Sequence, residues 1–431
     1  MKRRALALCS AAAMFWGGMA LAEVDVPPFY QAVGQMQPTG KLGEVLAKEA
    51  VATDVAGAEA WRIAFISSDL NGKPTISTAL VVAPTGDAPA EGRPILVWAH
   101  GTTGTAQNCG PSQVLNPAQD LNEYNLIGGT SWTDFGIPGL TDAIKAGYAV
   151  IAPDYQGLGG GGVHQYAIAA TQGRDAINAA RAVGAMGLSG AGKSAAVFGW
   201  SQGGGAVLAA ASQPDYINQT GTAFDGLSFV GFGAMAPQDV AVLIPPVALT
   251  EDGANQLIPG LAAQFSDSVF NFTHYAMSMW AMTAAFPELK LTDIFTEDGA
   301  KAVNEVFSDK CMHAGADTIS FAYGDDFKTL LNPQPSNALA WVKGLVAASV
   351  APVKPVAPVV IYFGSKDVTV DPKMGELYRT QMCGLGGDVT RVQLAGEQNH
   401  FTTPPNATPL LMPWIADRFA GKPAPEGCQA N

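Results

Sequence analysis

The segment KSAAVFGWSQGGGAVLAAA, residues 193–211, decides how the rest of this chain is interpreted. Residues 195–200 form a short apolar run typical of a β-strand, and residues 204–211 are small and compatible with a helix. Between them, residues 199–203 match the pattern G-x-S-x-G. The pattern alone also fits an ordinary turn. In the order strand, tight turn, helix, it predicts a turn that exposes the serine as a nucleophile, with the flanking glycines making room for it. Ser201 is therefore the candidate nucleophile.

Further apolar runs on both sides of this segment predict a parallel β-sheet. They alternate with helical stretches such as residues 171–186, which indicates strands covered on both faces. The runs are residues 94–100, 148–153, 195–200, 227–235, 358–364 and 390–394. An antiparallel hairpin within residues 61–83 is expected at one edge of the sheet, after a helix-like patch at residues 43–50. This succession predicts an α/β-hydrolase fold, with a mostly parallel central sheet and helices on both faces.

The strand pattern stops between residues 239 and 356. That segment contains helix-like stretches rich in aromatic residues and methionine, such as residues 270–286. We therefore predict a core formed by residues 23–238 and 357–431, with a helical cap inserted at residues 239–356. Two interpretations stay open, a lid that moves to shield a bound apolar group from water and a second core of packed helices.

The N-terminal residues 1–22 predict a secretory signal peptide. Three basic residues precede a short apolar run, and Ala20-Leu21-Ala22 fits a cleavage site. Removal of this leader would lower the net charge from −13 to about −16, because it contains three basic residues and no acidic ones. Such an acidic surface argues against a nucleic-acid partner. We expect a secreted or periplasmic protein, and no later stretch is long and apolar enough to span a membrane.

Four cysteines would remain in the exported chain. An even number in an oxidising compartment favours two disulfide bonds, although four cysteines allow three connectivities. The four residues are Cys109, Cys311, Cys383 and Cys428.

Two glycine-rich motifs resemble nucleotide-binding loops. Residues 187–194, GLSGAGKS, match the P-loop pattern, but a helix is predicted before them and a strand after, the reverse of the order that binds phosphate. Gly157, Gly159 and Gly162 match G-x-G-x-x-G, but Asp175 comes too early to hold a ribose. We therefore interpret the first as a helix stop and the second as a glycine loop, and expect no nucleotide cofactor.

A serine hydroxyl becomes nucleophilic when an imidazole takes its proton and a carboxylate orients that imidazole. In the predicted fold the chain order is serine, acid, histidine, each after a strand of the sheet. Of the histidines beyond Ser201, only His400 follows the last predicted strand, whereas His274 and His313 fall within the cap. His400 is therefore the predicted base.

The predicted acid is Asp367, which follows the strand at residues 358–364. Its rival, Asp371, precedes a proline and is typical of a helix start. A developing oxyanion also needs two hydrogen-bond donors. We expect one from the backbone N–H of Gln202 and the other from Thr102 or Thr103, in the sequence HGTTG after the strand at residues 94–100.

Taken together, several motifs resemble the secretory lipase family, the lipase A type of α/β-hydrolase. They are HGTTG at residues 100–104, CGPS at 109–112, PDYQGLG at 153–159, HQY at 164–166, GWSQGGG at 199–205 and the spacing of Asp367 and His400. The resemblance implies hydrolysis of triacylglycerols or related esters, a helical lid over the acyl site and a Ser201/Asp367/His400 triad. It also implies the disulfide pairs Cys109–Cys311 and Cys383–Cys428.

The sequence thus predicts a secreted serine carboxylester hydrolase, a triacylglycerol lipase acting through an acyl-enzyme, with no cofactor and no metal. Its predicted partner is a lipid or another ester, with action at an oil–water interface left open. The alternatives are a short-chain, polyester or aromatic esterase, or a peptidase, of the same fold. A non-catalytic binding protein is the alternative from another class, because a fold does not fix a function.

Overall fold

The computed structural model describes residues 26–121 and 136–429, so the predicted leader lies outside the described residues. Within these ranges, nine strands form one sheet. The strands are β1 (Val45–Val51), β2 (Ala58–Ser68), β3 (Pro74–Pro84), β4 (Arg93–Ala99), β5 (Ala149–Pro153), β6 (Ala191–Trp200), β7 (Ser228–Met235), β8 (Val359–Phe363) and β9 (Val389–Gln393).

The strand order is β1-β2-β3-β5-β4-β6-β7-β8-β9. Pairing is antiparallel from β1 to β5 and parallel from β5 to β9. Because the strand order reverses around β4 and β6, the loops after the central parallel strands meet at one edge of the sheet, where such folds bind ligands. The sheet and the helices around it confirm the predicted α/β-hydrolase fold.

Helices cover both faces of the sheet. In the described residues they are α1 (Pro28–Val33), α2 (Leu140–Lys145), α3 (Ala169–Ala185), α4 (Gln202–Ala211), α5 (Pro214–Ile217), α6 (Glu251–Gln264), α7 (Val269–Ala285), α8 (Leu291–Ile294), α9 (Glu297–Phe307), α10 (Met312–Tyr323), α11 (Ala338–Ala348), α12 (Lys373–Gly384) and α13 (Thr403–Phe419).

Alternate residues of the central strands enter two separate cores, as the two-residue period of a strand requires. In β6, Val197 packs with α3 and α4 on one face, whereas Phe198 packs with α2 and α13 on the other. Both side chains are fully buried. This burial on both faces explains why the strand reads as a continuous apolar run rather than as an alternating one.

The helix-like patch predicted at residues 43–50 was wrong, because the structure has the strand β1 there. Its Ala, Lys and Glu residues favour a helix in isolation, but their backbone pairs antiparallel with β2 from Ala47 to Val51. Tertiary pairing therefore overrides local propensity. As a result, β1 rather than the β2–β3 hairpin forms this edge of the sheet.

A helical segment lies between β7 and β8. Its helices α6 to α11 form a hydrophobic cluster of their own, with Phe272, Phe307 and Trp341 fully buried. A disulfide between Cys109 and Cys311 ties this segment to the loop after β4. A second disulfide joins Cys383, on α12, to Cys428 near the C-terminus. These are the pairs that the resemblance implied, and whether the segment acts as a cap stays a prediction.

Candidate active site

The turn between β6 and α4 holds Ser201 in a strained backbone conformation, with φ 58° and ψ −119°. Non-glycine residues rarely adopt such angles, and the strain typically costs about 1–3 kcal/mol. The two neighbouring glycines permit it. A Cβ atom at Gly199 would lie 2.6 Å from the Ala99 carbonyl oxygen, and one at Gly203 would lie 1.9 Å from the same atom. The sequence pattern therefore has a steric cause, since the backbones of the turn and of β4 are in contact.

Three side chains that are far apart in the sequence meet at this turn. Nε2 of His400 lies 2.9 Å from Oγ of Ser201, and Nδ1 of His400 lies 2.8 Å from Oδ2 of Asp367. All three residues are buried, with exposed fractions of 3–7%. A carboxylate oxygen accepts only, so the proton of the imidazole lies on Nδ1. Nε2 then carries the lone pair that can accept the serine proton.

The loops after β8 and β9 fix the acid and the histidine. Oδ1 of Asp367 accepts backbone N–H bonds from Thr369 at 3.0 Å and Val370 at 2.8 Å. The indole N–H of Trp200 donates to the His400 carbonyl at 3.1 Å, and the two rings lie 4.8 Å apart. Trp200, which directly precedes Ser201, thus helps to position His400.

The structure keeps the rival acid away from His400. Asp371 is exposed, and its Oδ1 accepts the backbone N–H of Lys373 at the start of α12. This position at the start of a helix is the one predicted from the proline that follows Asp371.

Gln202, whose backbone N–H is one of the predicted oxyanion donors, directly follows Ser201. Gln202 begins α4, so its backbone N–H belongs to the first turn, where helix amides have no intrahelical partner. The hydroxyl of Thr102 lies 3.0 Å from the Tyr166 hydroxyl. The Thr103 carbonyl accepts the N–H of Met312, which connects this loop to the helical segment. The N–H of Gln202 is thus available next to Ser201, and a second donor from the loop after β4 stays a prediction.

His164, for which the sequence predicted no role, supports the Gln202 side chain. Its Nδ1 donates to the Gln156 carbonyl at 2.6 Å, so its Nε2 accepts from the Gln202 amide at 3.2 Å. Burial lowers the pKa of His164 to about 3, which keeps the ring neutral. The only sequence signal was its position in the HQY motif, which carried the resemblance but gave no role.

A cavity opens beside Ser201 between the sheet and the helical segment. Its empty volume, with its open mouth included, is about 1000 Å³. The walls are contributed by α6, α7 and α11 together with the loops after β7 and β8. Ser201 and Tyr166 are both part of the lining, so the cavity reaches the candidate nucleophile.

The two histidines of the helical segment lie outside the Ser201–His400–Asp367 contact. His274 lines the cavity, and the ring of His313 lies 6.2 Å from that of Phe270. In the part of the chain that the structure describes, no three His, Cys, Asp or Glu side chains are grouped as a metal site would require. No described helix has the length and apolar character needed to cross a membrane.

The P-loop match has the structure expected for its interpretation as a helix stop. α3 ends at Ala185, and β6 begins at Ala191 within the motif. Lys193 donates to the Asp225 carbonyl at 2.6 Å. The motif therefore opens a strand rather than a helix.

Comparison with known proteins identifies the family. The profile of the family described as "Secretory lipase" matches residues 128–230 and 273–427. The chain belongs to the secretory lipase family. Its relatives include Lipase 9 of Candida albicans, 24% identical over 94% of this chain and 84% of the relative, and Lipase 5 of the same organism, 25% identical over 93% and 82%. This secretory lipase family member is a carboxylic ester hydrolase.

Solved structures share the fold of this family member. Candida antarctica lipase A in its closed state superposes with a TM-score of 0.67 at 16% identity, covering 93% of this chain and 88% of that one. The rice cell wall degrading esterase LipA from Xanthomonas oryzae superposes with a TM-score of 0.62 at 16% identity, covering 88% and 96%. Because both structures are only 16% identical to this chain, the superpositions support a shared fold and nothing finer.

Proposed function

We propose that this protein is a secreted serine hydrolase that cleaves triacylglycerols or related esters through an acyl-enzyme intermediate. Ser201 is the proposed nucleophile, His400 the general base and acid, and Asp367 the group that orients His400. The observation that carries the proposal is the continuous hydrogen-bonded contact from Ser201 Oγ through His400 to Asp367, at 2.9 and 2.8 Å.

In the first half of the reaction, Nε2 of His400 takes the Ser201 proton while Oγ attacks the ester carbonyl. The carbonyl oxygen becomes negative and is stabilised by the backbone N–H groups of Gln202 and Thr102. We assign Thr102 rather than Thr103 because its hydroxyl contacts Tyr166, which lines the cavity beside Ser201. The tetrahedral intermediate then collapses, His400 gives its proton to the departing alcohol, and the acyl group stays on Ser201.

In the second half, water replaces the alcohol beside His400. His400 takes a proton from this water, which attacks the acyl carbonyl, and the acid leaves as the Ser201 hydroxyl is restored. Removing a single oxyanion donor typically costs about 3–4 kcal/mol of transition-state stabilisation, so both amides matter to the rate.

The cavity supports an acyl chain as the enclosed part of the substrate. Most of the residues that line it are apolar, and the names of the Candida albicans relatives describe lipases. We therefore place triacylglycerols ahead of short-chain, polyester or aromatic esters and of peptides. We also propose that residues 239–356 act as a cap, because α6, α7 and α11 cover one side of this cavity.

Secretion is supported by two independent features. Residues 1–22 have the sequence of a signal peptide, and the two disulfides are typical of an oxidising compartment.

Labelling with a fluorophosphonate probe tests the proposed nucleophile. We expect the wild-type chain to become labelled, Ser201→Ala to lose both labelling and at least about 10⁴-fold of ester hydrolysis, and the buried-serine control Ser189→Ala to keep both. Labelling that persists in Ser201→Ala would disprove the assignment.

A second experiment ranks the substrate classes, by comparing hydrolysis of p-nitrophenyl esters with acyl chains of graded length and hydrolysis of a peptide anilide. Turnover of short esters alone would contradict the lipase assignment.

A further inference from the structure

The lining of the cavity beside Ser201 contains both polar and apolar residues. Four polar residues of α7, called the polar wall here, line it: Asn271, His274, Tyr275 and Ser278. Met279 and Met282 of the same helix also line it, as do the polar residues Gln238, Asp239, Ser349 and Thr369 from other elements. Residues spaced by three, four and seven positions share a helix face. The apolar side chains that line the same cavity include Leu261, Phe265, Met279, Met282, Leu345 and Val370. The cavity is thus built for a ligand with both hydrocarbon and hydrogen-bonding parts.

The imidazole of His274 and the hydroxyl of Ser278 offer hydrogen-bond acceptors, because each already donates its proton to a backbone carbonyl of α7. Nδ1 of His274 lies 2.8 Å from the Phe270 carbonyl, which only accepts, so Nδ1 carries the proton. Burial lowers the pKa of His274 to about 4, and the neutral ring therefore keeps a lone pair on Nε2. The hydroxyl of Ser278 donates to the His274 carbonyl at 2.9 Å, so the lone pairs of the Ser278 oxygen can accept a hydrogen bond. A ligand group that complements them is a hydrogen-bond donor.

The Tyr275 hydroxyl is a second, independent indication of a polar ligand. Tyr275 is 95% buried, and its hydroxyl has no hydrogen-bond partner among the described residues. Buried hydroxyl groups are nearly always paired, and an unpaired one needs an explanation. A ligand with a hydroxyl group in this cavity can both accept from Tyr275 and donate to the acceptors on the same helix face.

The position of His400 indicates which half of an ester enters the cavity. In the proposed reaction His400 protonates the departing alcohol, so the alcohol lies on the His400 side. The cavity is lined by Ser201, by the loop after Asp367 and by the helical segment, whereas no described residue of the loop at 394–402, which carries His400, is among its lining. The enclosed half is therefore the acyl group.

We propose that the preferred acyl group carries a hydroxyl on its chain, which hydrogen-bonds the α7 wall at His274 and Ser278. This inference rests on the proposed function and names its substrate class, esters of hydroxylated fatty acids. The hydrocarbon part packs against the apolar wall. A plain hydrocarbon chain would instead desolvate His274 Nε2 without replacing its hydrogen bond to water, and such an unpaired group is what allows a site to reject an analogue.

A positional series of substrates tests the proposal. The series is p-nitrophenyl decanoate and its monohydroxy derivatives, with the hydroxyl placed at successive carbons of the acyl chain. We expect kcat/KM to exceed that of plain decanoate by about tenfold or more at one position or two adjacent ones, the gain typical of one or two new hydrogen bonds. If plain decanoate equals or exceeds every hydroxylated ester, the proposal is wrong.

Variants then locate the contact. We expect His274→Leu and Ser278→Ala each to lower the ratio of kcat/KM for the favoured hydroxy ester to that for decanoate by about three- to tenfold. His313→Leu is the matched control, a histidine of the same segment that is not among the cavity lining, and it should keep the wild-type ratio. An unchanged ratio in both α7 variants, or an equal loss in the control, would overturn the assignment.

Failure of this inference and failure of the proposed function give different results. Fluorophosphonate labelling of each variant reports a folded, reactive Ser201 independently of acyl preference. A chain that labels and hydrolyses decanoate without preferring a hydroxy ester keeps its proposed function and loses only the inference. A chain that neither labels nor cleaves either ester loses both.

Discussion

At the scale of single residues, the proposed mechanism depends on the position of one proton on His400. Asp367 holds that proton on Nδ1, and Asp367 itself is fixed by the backbone N–H groups of Thr369 and Val370. An uncharged side chain of the same shape would keep the packing and remove the preference for this tautomer.

We therefore expect Asp367→Asn to lower kcat for p-nitrophenyl esters by about 10³- to 10⁴-fold with little change in thermal stability. Asp371→Asn is the control, because asparagine also caps a helix and Asp371 lies at the surface. Steady-state kinetics of both variants check the prediction. Equal activities would contradict the assigned acid.

Tyr166 is expected to position the second oxyanion donor. Its hydroxyl contacts that of Thr102 at 3.0 Å and holds the loop after β4 against the cavity. We expect Tyr166→Phe to lower kcat by about fivefold while KM changes less, because loss of one neutral hydrogen bond costs about 1 kcal/mol. The control is Tyr362→Phe, since Tyr362 is buried on β8 away from the cavity lining. A change in KM alone would instead indicate a role in substrate binding.

Buried acids make stability depend on pH. Burial raises the pKa of Asp175 to about 7, whereas an aspartate in the unfolded chain titrates near 3.9. Between these values the folded state binds a proton that the unfolded state has lost. The stabilisation is complete below about pH 4 and is lost as the pH rises through about 7.

We therefore expect the Tm of the wild-type protein, measured relative to that of Asp175→Asn, to decline between pH 4 and pH 7. The difference between the two proteins isolates Asp175 from the other buried groups. Asp154 and Asp239, whose pKa values burial raises to about 6, act in the same direction, and buried histidines such as His164 and His274, whose pKa values burial lowers, act in the opposite one. Thermal denaturation across this pH range is the measurement, with the exposed Asp142→Asn as control. A difference in Tm between wild type and Asp175→Asn that does not change with pH would contradict the role of this carboxyl.

At the scale of elements, the glycines of different helices differ in whether there is space for a side chain in their place. Gly203 lets α4 begin against the backbone of β4, whereas a Cβ atom at Gly260, inside α6, would meet no other atom within 4 Å. We expect Gly260→Ala to stabilise the protein by about 0.5–1 kcal/mol, because alanine restricts the unfolded chain. Gly203→Ala should fail to yield a soluble, folded protein. Urea denaturation measures the first effect, and a destabilised Gly260→Ala would refute it.

Elements with a strong local signal could be predicted from the sequence. The β6–turn–α4 unit was predictable because its glycines have a steric cause, and the buried strands because they are apolar on both faces. By contrast, β1 could not be predicted, because its Ala, Lys and Glu residues favour a helix and its pairing with β2 depends on contacts distant in the sequence. The pairing of His164 with Gln202 was inaccessible for the same reason, since it requires α4 and the glycine loop to be placed together.

At the scale of the whole molecule, two disulfides constrain loops of different length. Cys109 and Cys311 are separated by 202 residues, and Cys383 and Cys428 by 45. In the chain-entropy account, the longer loop contributes about 5 kcal/mol and the shorter about 4 kcal/mol.

We expect the double variant Cys109→Ala/Cys311→Ala to lower the Tm more than Cys383→Ala/Cys428→Ala. It should also lower kcat, because the first disulfide lies beside the contact between Thr103 and Met312, next to the proposed oxyanion loop. Calorimetry and kinetics on the two variants check both effects. A larger loss of activity from the second pair would contradict this difference.

The order of these cysteines along the polypeptide also bears on how the protein matures. Of the four cysteines after residue 22, the first bonds the second and the third bonds the fourth. An oxidase that joins thiols in the order in which they emerge from a translocation channel therefore forms the native bridges directly. Maturation in a host should thus depend on the oxidase and be nearly indifferent to loss of its disulfide isomerase.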